Sequence, residues 1–177
     1  MEITIKELEH KDAELIVKYW YSLTYFELLK FGADKTKFLK PIDWTQRLKD
    51  EIDKTIEHKQ FYYLLWYLDN VPIGHSNIDQ IKFGETAFMH LHLWKSDFRQ
   101  KHLGFQFLQK TIPIYFKTFE LKKLYCEPKS DNKAPNRVLE KLGFEFIKQS
   151  KKVPNWITFH QEVNEYILNR NESIEER

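Results

Sequence analysis

The chain has 177 residues, 42% of them hydrophobic, with Lys and Arg together 28 against 26 Asp and Glu, a formal charge of +2. That excludes a low-complexity disordered chain, and near-neutrality gives no broad basic surface for wrapping nucleic acid. Cys126 is the only cysteine, which excludes an intrachain disulfide and a thiolate-rich metal site.

In chain order, the start is acidic and alternating rather than a basic head before an apolar core, so no signal peptide is expected. A short strand is expected over residues 3–8. Asp12 is placed to cap a helix whose apolar positions Leu15, Ile16, Tyr19, Trp20 and Leu23 recur at spacings of three and four. The pattern breaks at residues 31–37. A second helix is signalled by Asp43 with Gln46 three residues on, a capping-box spacing, followed by the stripe Trp44, Leu48, Ile52 and Ile56. From Phe61 to Leu68 the chain is almost continuously apolar, as a strand buried on both faces is. Asp69 and Asn70 supply a hairpin turn into a return strand over 72–81. The turn at 82–85 leads to a third strand over 86–94. Phe88, His90, His92 and Trp94 fall on one of its faces; Ala87, Met89, Leu91 and Leu93 fall on the other.

Residues 103–116 have helical period, with Pro113 expected to kink or end the helix. A strand over 121–126 and a helix over 132–142 stopped by Gly143 follow, then closing strands over 144–148 and 156–166. No apolar run reaches the roughly 18 residues of a membrane span. The expectation is one mixed α/β domain over residues 1–168 with a polar, flexible tail over 169–177. It is expected to be cytoplasmic and to need neither nucleic acid nor membrane as partner.

The strand-to-helix junction holds the most informative stretch: Arg99, Gln100, Lys101, His102, Leu103, Gly104 and Phe105. Free N–H groups of a helix entry, with the positive end of its dipole, suit phosphate oxygens. Gly104 would permit the close approach of a pyrophosphate. From residue 99 to 123 there are six Lys or Arg and one acid, a local +5 in a nearly neutral chain. A solvated basic helix start is the plainer alternative.

Two patterns then resemble the GNAT superfamily of N-acetyltransferases, in particular its ribosomal-protein N-terminal acetyltransferase-like branch. Arg99 to Gly104 is similar to the family's Arg/Gln-x-x-Gly-x-Gly/Ala pyrophosphate loop, with His102 at the first glycine position. Asn132 through Glu140, Lys141, Gly143 and Phe144 is similar to its Asn-x-x-Ser to Glu-Lys-x-Gly-Phe stretch, with Pro135 where serine is usual. The resemblance implies a central, mostly antiparallel sheet of about seven strands with a V-shaped splay, flanked by about four helices. It implies an acetyl-CoA site with the pyrophosphate on backbone N–H groups of residues 100–104 and the pantetheine arm beside residues 92–94. Asn132 would orient the arm or hold its loop, and Asn136 and Arg137 would reach the adenine–ribose end. Leu139 stands where many relatives place a tyrosine acid.

The implied reaction is direct attack of a primary amine, on a small molecule or a peptide N-terminus, within a ternary complex. The N–H of Leu93 or Trp94 is the implied oxyanion donor. For the base, His92 and His90 are the first candidates because imidazoles titrate near neutrality, with Glu85 and Glu127 behind them. Tyr25, Phe26 and Phe31 fall where the family builds its acceptor wall, and His75 is a further candidate for the substrate pocket. A metal would need His75 as third ligand beside the two histidines, and none is expected. Cys126 reads as a buried small hydrophobe. A CoA-binding regulatory module without turnover is the alternative function, and a monomer or homodimer the expected assembly.

Overall fold

The computed structural model describes residues 1–94 and 103–170. Seven strands form one sheet: β1 (Ile3–Glu7), β2 (Phe61–Leu68), β3 (Val71–Lys82), β4 (Thr86–Leu93), β5 (Lys123–Cys126), β6 (Glu145–Lys152) and β7 (Gln161–Asn169). Their order is β1-β2-β3-β4-β5-β7-β6. Every neighbouring pair is antiparallel except β4 with β5. Five α-helices flank it: α1 (Ala13–Ser22), α2 (Tyr25–Phe31), α3 (Pro41–Ile52), α4 (Leu103–Thr118) and α5 (Lys133–Lys141). The mixed α/β architecture expected from the sequence is the one present. The segment 171–177, expected as a flexible tail, lies outside the described residues. Asn169 still pairs with Lys123, and the Arg170 N–H donates to the Lys122 carbonyl at 2.8 Å.

The sheet carries a separate apolar layer on each face. Under α4 and α5, Trp66 stacks on Phe107 with ring centroids 5.0 Å apart, among Leu64, Met89, Tyr115 and Leu139. Under α1 to α3, Trp20, Trp44 and Leu48 pack over Leu65.

Several element boundaries differ from expectation for local reasons. Asp12 precedes α1 but makes no side-chain cap bond. Helix α2 was not anticipated, although its signals are in the sequence. Thr24 and Glu27 form a reciprocal capping box, and Gly32 ends the helix at φ 71°. Helix α3 starts at Pro41, whose fixed φ suits a first turn; Gln46 bonds to Asp50 at 2.7 Å instead of closing a box with Asp43. It ends at Ile52, and Ile56 belongs to a short 3-10 turn. Helix α4 runs through Pro113 to Thr118. The ring removes one helical N–H, but Phe107, Leu108, Ile112, Tyr115 and Phe116 are all buried along this helix, and that burial outweighs the lost bond.

Strand β5 begins at Lys123 rather than Leu121, which is fully buried. Strand β7 begins at Gln161, not Trp156. Residues 155–160 instead form a turn pinned to the end of α2. The Asp34 N–H donates to the Ile157 carbonyl at 2.7 Å, the Phe159 N–H to Gly32 at 3.1 Å, and Lys37 Nζ to the Thr158 carbonyl at 2.6 Å.

Two features of β3 and β5 position everything that follows. Strands β4 and β5 pair only at Thr86–Lys123, Ala87–Leu124 and Phe88–Tyr125. Beyond Cys126 the chain leans onto β7, with a bridge from Lys129 to Val163, and leaves β4 unpaired by β5. This is the V-shaped splay. On its other side, β3 bulges: Phe88 faces Asp79 but Thr86 faces Lys82, so three steps on β3 match two on β4. Gln80, at φ 49°, takes up the extra residue. The bulge reverses which β3 residues share a face with the histidines. His75, Asn77 and Asp79 do; Ile78 does not.

Candidate active site

The backbone of β4 sorts itself by register. The Trp94 N–H donates to the Ile73 carbonyl at 2.9 Å, and Ser76 Oγ donates to the His90 carbonyl at 2.7 Å. Even-numbered residues therefore turn their polar backbone toward β3, and Leu91 and Leu93 turn theirs into the gap. Trp94 is thus withdrawn as an oxyanion donor because its N–H is already committed. Gly74 allows β3 to lie this close: a Cβ there would come within 2.5 Å of the His92 carbonyl oxygen.

His92 and His75 sit in an aromatic corner. Their rings stack with centroids 5.1 Å apart. His92 Nδ1 lies 3.1 Å from the Tyr19 hydroxyl, and its ring meets Trp20 at 4.7 Å and Phe31 at 5.2 Å. His75 is fully buried and its Nδ1 accepts from Trp94 Nε1 at 2.8 Å. Burial, with the nearby His90 adding to it, pushes His75 down to about 3, so it stays neutral. It does not line the cleft, and its place is structural rather than in a substrate pocket.

His90 differs. Its Nε2 lies 3.1 Å from Asp79 Oδ1, an oblique ion-pair contact with both side chains about one-fifth exposed. Burial alone would lower this imidazole, but the Asp79 carboxylate, and more weakly Glu127, outweigh it and raise His90 above the ordinary histidine value. Glu127, just past β5 on the far side of the gap, is itself raised by burial against the opposing pull of Lys152, which it meets at 2.5 Å. His90, Asp79, Glu127 and His92 all line one cleft of about 520 Å³, floored by the splayed strands and closed above by α3 and the 153–158 turn.

The remaining sequence candidates separate clearly. Glu85 is exposed in the β3–β4 turn at the opposite end of β4, five residues from His90 and so about 17 Å away along the strand. It is withdrawn as a base. Phe31 lines the cleft, but Tyr25 and Phe26 are 70% and 80% exposed and do not. Their side of α2 faces away. Asn132 lines the cleft, while Asn136 is buried: its Nδ2 donates to the carbonyls of Lys129 and Asn132, and its Oδ1 accepts from Asn164. It holds the 129–133 turn and is not available to an adenine. Arg137 is exposed on α5, and Leu139 is fully buried in the core. Cys126 is buried, as expected, its Sγ donating to the Met89 carbonyl at 3.1 Å.

Arg99, Gln100, Lys101 and His102 lie outside the described residues. Of their neighbours, Leu103 is buried and Phe105 half-buried. A Cβ on Gly104 would meet nothing nearer than Leu93 Cδ1, at 3.8 Å. The first described turn of α4 therefore stands beside Leu93, with a Cβ at its glycine reaching only ordinary contact. A strand that β5 leaves at Phe88 and that ends near such a turn fits an extended, amide-bearing arm that carries a pyrophosphate.

Asp79, Tyr19, Arg47 and Trp156 were not read from the sequence as site residues. The bulge explains Asp79: counting back from the 82–85 turn in regular register puts Asp79 on the opposite face from His90. Tyr19 was visible only as part of a core stripe.

A family model described as an acetyltransferase (GNAT) domain matches residues 2–145. No curated protein sequence matches the chain. Among solved structures, it is similar to a ribosomal-protein-S5-alanine acetyltransferase from Vibrio fischeri, 19% identical over 97% of this chain and 95% of that one, with a TM-score of 0.79. It is also similar to a ribosomal L7/L12 α-N-protein acetyltransferase in complex with coenzyme A, 15% identical over 94% and 93%, with a TM-score of 0.75. A spermidine N-acetyltransferase from Vibrio cholerae is 13% identical over 94% and 93%, with a TM-score of 0.74.

Proposed function

The chain belongs to the GNAT acetyltransferase family, and from that premise we propose that it transfers the acetyl group of acetyl-CoA to a primary amine by direct attack in a ternary complex. The observation that supports this reading is the gap past Phe88–Tyr125, which opens into the cleft holding His90, Asp79 and Glu127. A bound acetyl-CoA supplies the activated thioester. The arm would run beside the stretch of β4 past Phe88 that β5 does not pair, where a backbone N–H would polarise the thioester carbonyl.

His90 is the general base. As the amine nitrogen bonds to the acetyl carbon and the carbon–sulfur bond breaks, His90 takes the proton the nitrogen sheds, and the sulfur departs as thiolate. Asp79 orients the imidazole and stabilises its charged form. His92 holds the wall of the pocket. The buried Leu139 leaves no tyrosine acid at the position where many relatives carry one, so the thiolate leaves without that help.

Two of the similar structures are named for acetylation of ribosomal proteins, one of them as an α-N-protein acetyltransferase, and one for spermidine acetylation. The motif match supports the first branch. The test is a thermal-shift titration with acetyl-CoA and CoA, followed by a panel of amines read by free-thiol release. Stabilisation by both ligands and thiol release with at least one amine are expected. Binding of CoA without release against any amine would make the protein a CoA-binding module instead.

A further inference from the structure

The charges lining the cleft are not evenly answered. Asp79 faces His90, Glu127 is paired with Lys152, and Lys129 with Asp131 at 2.8 Å. The acids therefore carry little uncompensated charge. Lys30 and Arg47 also line the cleft, and neither has a carboxylate partner among the described residues. The mouth is thus cationic.

Arg47 is also held in a defined plane. It rises from α3 between two rings, its guanidinium carbon 5.5 Å from the centre of Phe61 on β2 and 5.1 Å from that of Trp156 in the β6–β7 turn. Trp156 is in turn held edge-on by Trp44 at 5.2 Å. Aromatic faces satisfy the guanidinium plane and leave its N–H edge for a ligand. A planar fork of donors with no acceptor among the described residues is suited to a carboxylate, which it can bind through two parallel bonds.

We propose that Arg47 selects the acceptor: the amine substrate carries a carboxylate, which Arg47 binds at the mouth while the amine reaches His90. This rests on the acetyltransferase reading above. The register sets the span. Phe61 lies opposite Asp79, and Asn77 on the same strand lies opposite His90, so Phe61 is two strands from His90. The amine and carboxylate are then on the order of 10 Å apart, two strand spacings. A tripeptide from its N-terminus to its C-terminal carboxylate covers that distance, as does a medium-chain ω-amino acid. A polyamine would meet Lys30 and Arg47 with like charge.

The experiment uses two matched pairs, trialanine with trialaninamide and 8-aminooctanoate with its amide, and spermidine as a contrast. With the parent protein, the carboxylate member of at least one pair is expected to exceed its amide about tenfold in kcat/KM, chiefly through KM. The pair that discriminates tells whether the acceptor is a peptide or an alkyl amino acid. In Arg47→Gln the preference falls to about threefold or less while kcat on the amide and CoA affinity are kept. Arg47→Lys, which restores the charge without the fork, recovers part of it.

A merely structural Arg47, bracing the 153–158 turn, would lower both members of each pair equally and leave the ratio unchanged; that result overturns the proposal. So does a parent enzyme that prefers the amides or spermidine. Calorimetric titration of the same pairs into CoA-saturated protein separates the two claims. Carboxylate preference in binding, lost in Arg47→Gln, without transfer to any amine would uphold the acceptor site and remove the enzymatic reading. Transfer without carboxylate preference would do the reverse.

Discussion

Two neighbouring regions on one face of the sheet treat the same side chain in opposite ways. In the corner formed by Tyr19, Trp94, His75 and His92, rings pack against rings, and His75 is pushed down to about 3 by burial. Two residues along β4, His90 is largely buried too, at about one-fifth exposed, yet it is raised because Asp79 stands 3.1 Å away. Burial is common to both. The carboxylate is the difference, and it converts a side chain that only packs into one that can exchange a proton near neutral pH.

The largest expected effect breaks this contrast at the reaction itself. His90→Gln keeps hydrogen bonding but cannot titrate, and it should lower kcat/KM by roughly 10²- to 10⁴-fold with CoA affinity intact. His92→Gln, made in the corner, should cost about tenfold or less, since what it removes is packing and the bond to Tyr19. Steady-state rates with the best amine, beside CoA titrations, check both. A deeper loss for His92→Gln than for His90→Gln would reverse the assignment.

The contrast also has a stability signature. His75 sits at about 3 when folded and near its ordinary value of 6.5 when unfolded. Between those values the unfolded chain binds a proton that the folded chain refuses, so stability falls as pH drops below about 6.5, by about 1.4 kcal/mol per pH unit. His75→Gln removes that slope, and urea unfolding at pH 6 and pH 5 should show a correspondingly smaller loss. His90 acts with the other sign. Its raised value stabilises the folded state below the unfolded pKa and loses that contribution as pH rises through the folded one. His90→Gln should therefore lower stability below about 6.5 by a constant amount, leave the slope between pH 6 and pH 5 in place, and remove the loss seen as pH rises above 6.5. Equal slopes in both variants would mean that the two environments do not differ as described.

Much of this frame was legible before any coordinates. The meander from Phe61 to Leu93 and a strand after α4 follow from alternation and turn residues, and the splay from the family resemblance that the two motifs carry. The end of β4 and Asn132 both border the opening. What the pattern could not convey was tertiary. A one-residue bulge at Gln80 changes the face of every β3 residue before it, so regular alternation does not bring Asp79 to His90. Arg47 is on the polar flank of α3 and becomes a cleft residue only because the turn after β6 brings Trp156 across to it. Asn136 belongs to a recognisable motif, but burial, which periodicity does not show, turned its amide inward.

Asp79→Asn sharpens the comparison without removing the histidine. With the carboxylate neutralised, burial becomes the dominant influence on His90, and its pKa falls. The acid limb of the pH–rate profile should move to lower pH, and the plateau should drop by about tenfold as the ring loses its orienting partner. A profile that keeps its acid limb in place would show that the limb belongs to another group, such as the amine.

Glu127→Gln is the smallest change and the one that separates the two remaining base candidates. Glu127 is nearly enclosed, its charge is largely answered by Lys152 at 2.5 Å, and Lys152 also reaches Glu165 at 3.3 Å. Neutralising it leaves Lys152 closer to a net positive charge near the gap, so His90 should become slightly harder to protonate. The acid limb then moves in the same direction as in Asp79→Asn, but by less, because Asp79 is the nearer and stronger influence on His90. If Glu127 only tunes the field, the high-pH plateau stays within about threefold of the parent, as befits a charge acting through another group. If Glu127 were itself the proton acceptor, the plateau would fall by the roughly 10² or more that losing a general base costs, at every pH. Its own pKa is raised by burial, so a carboxylate base here would also put a limb above the usual carboxylate range. Full pH–rate profiles of Glu127→Gln and His90→Gln on one amine therefore distinguish the cases: one variant shifts a curve, and the other abolishes it.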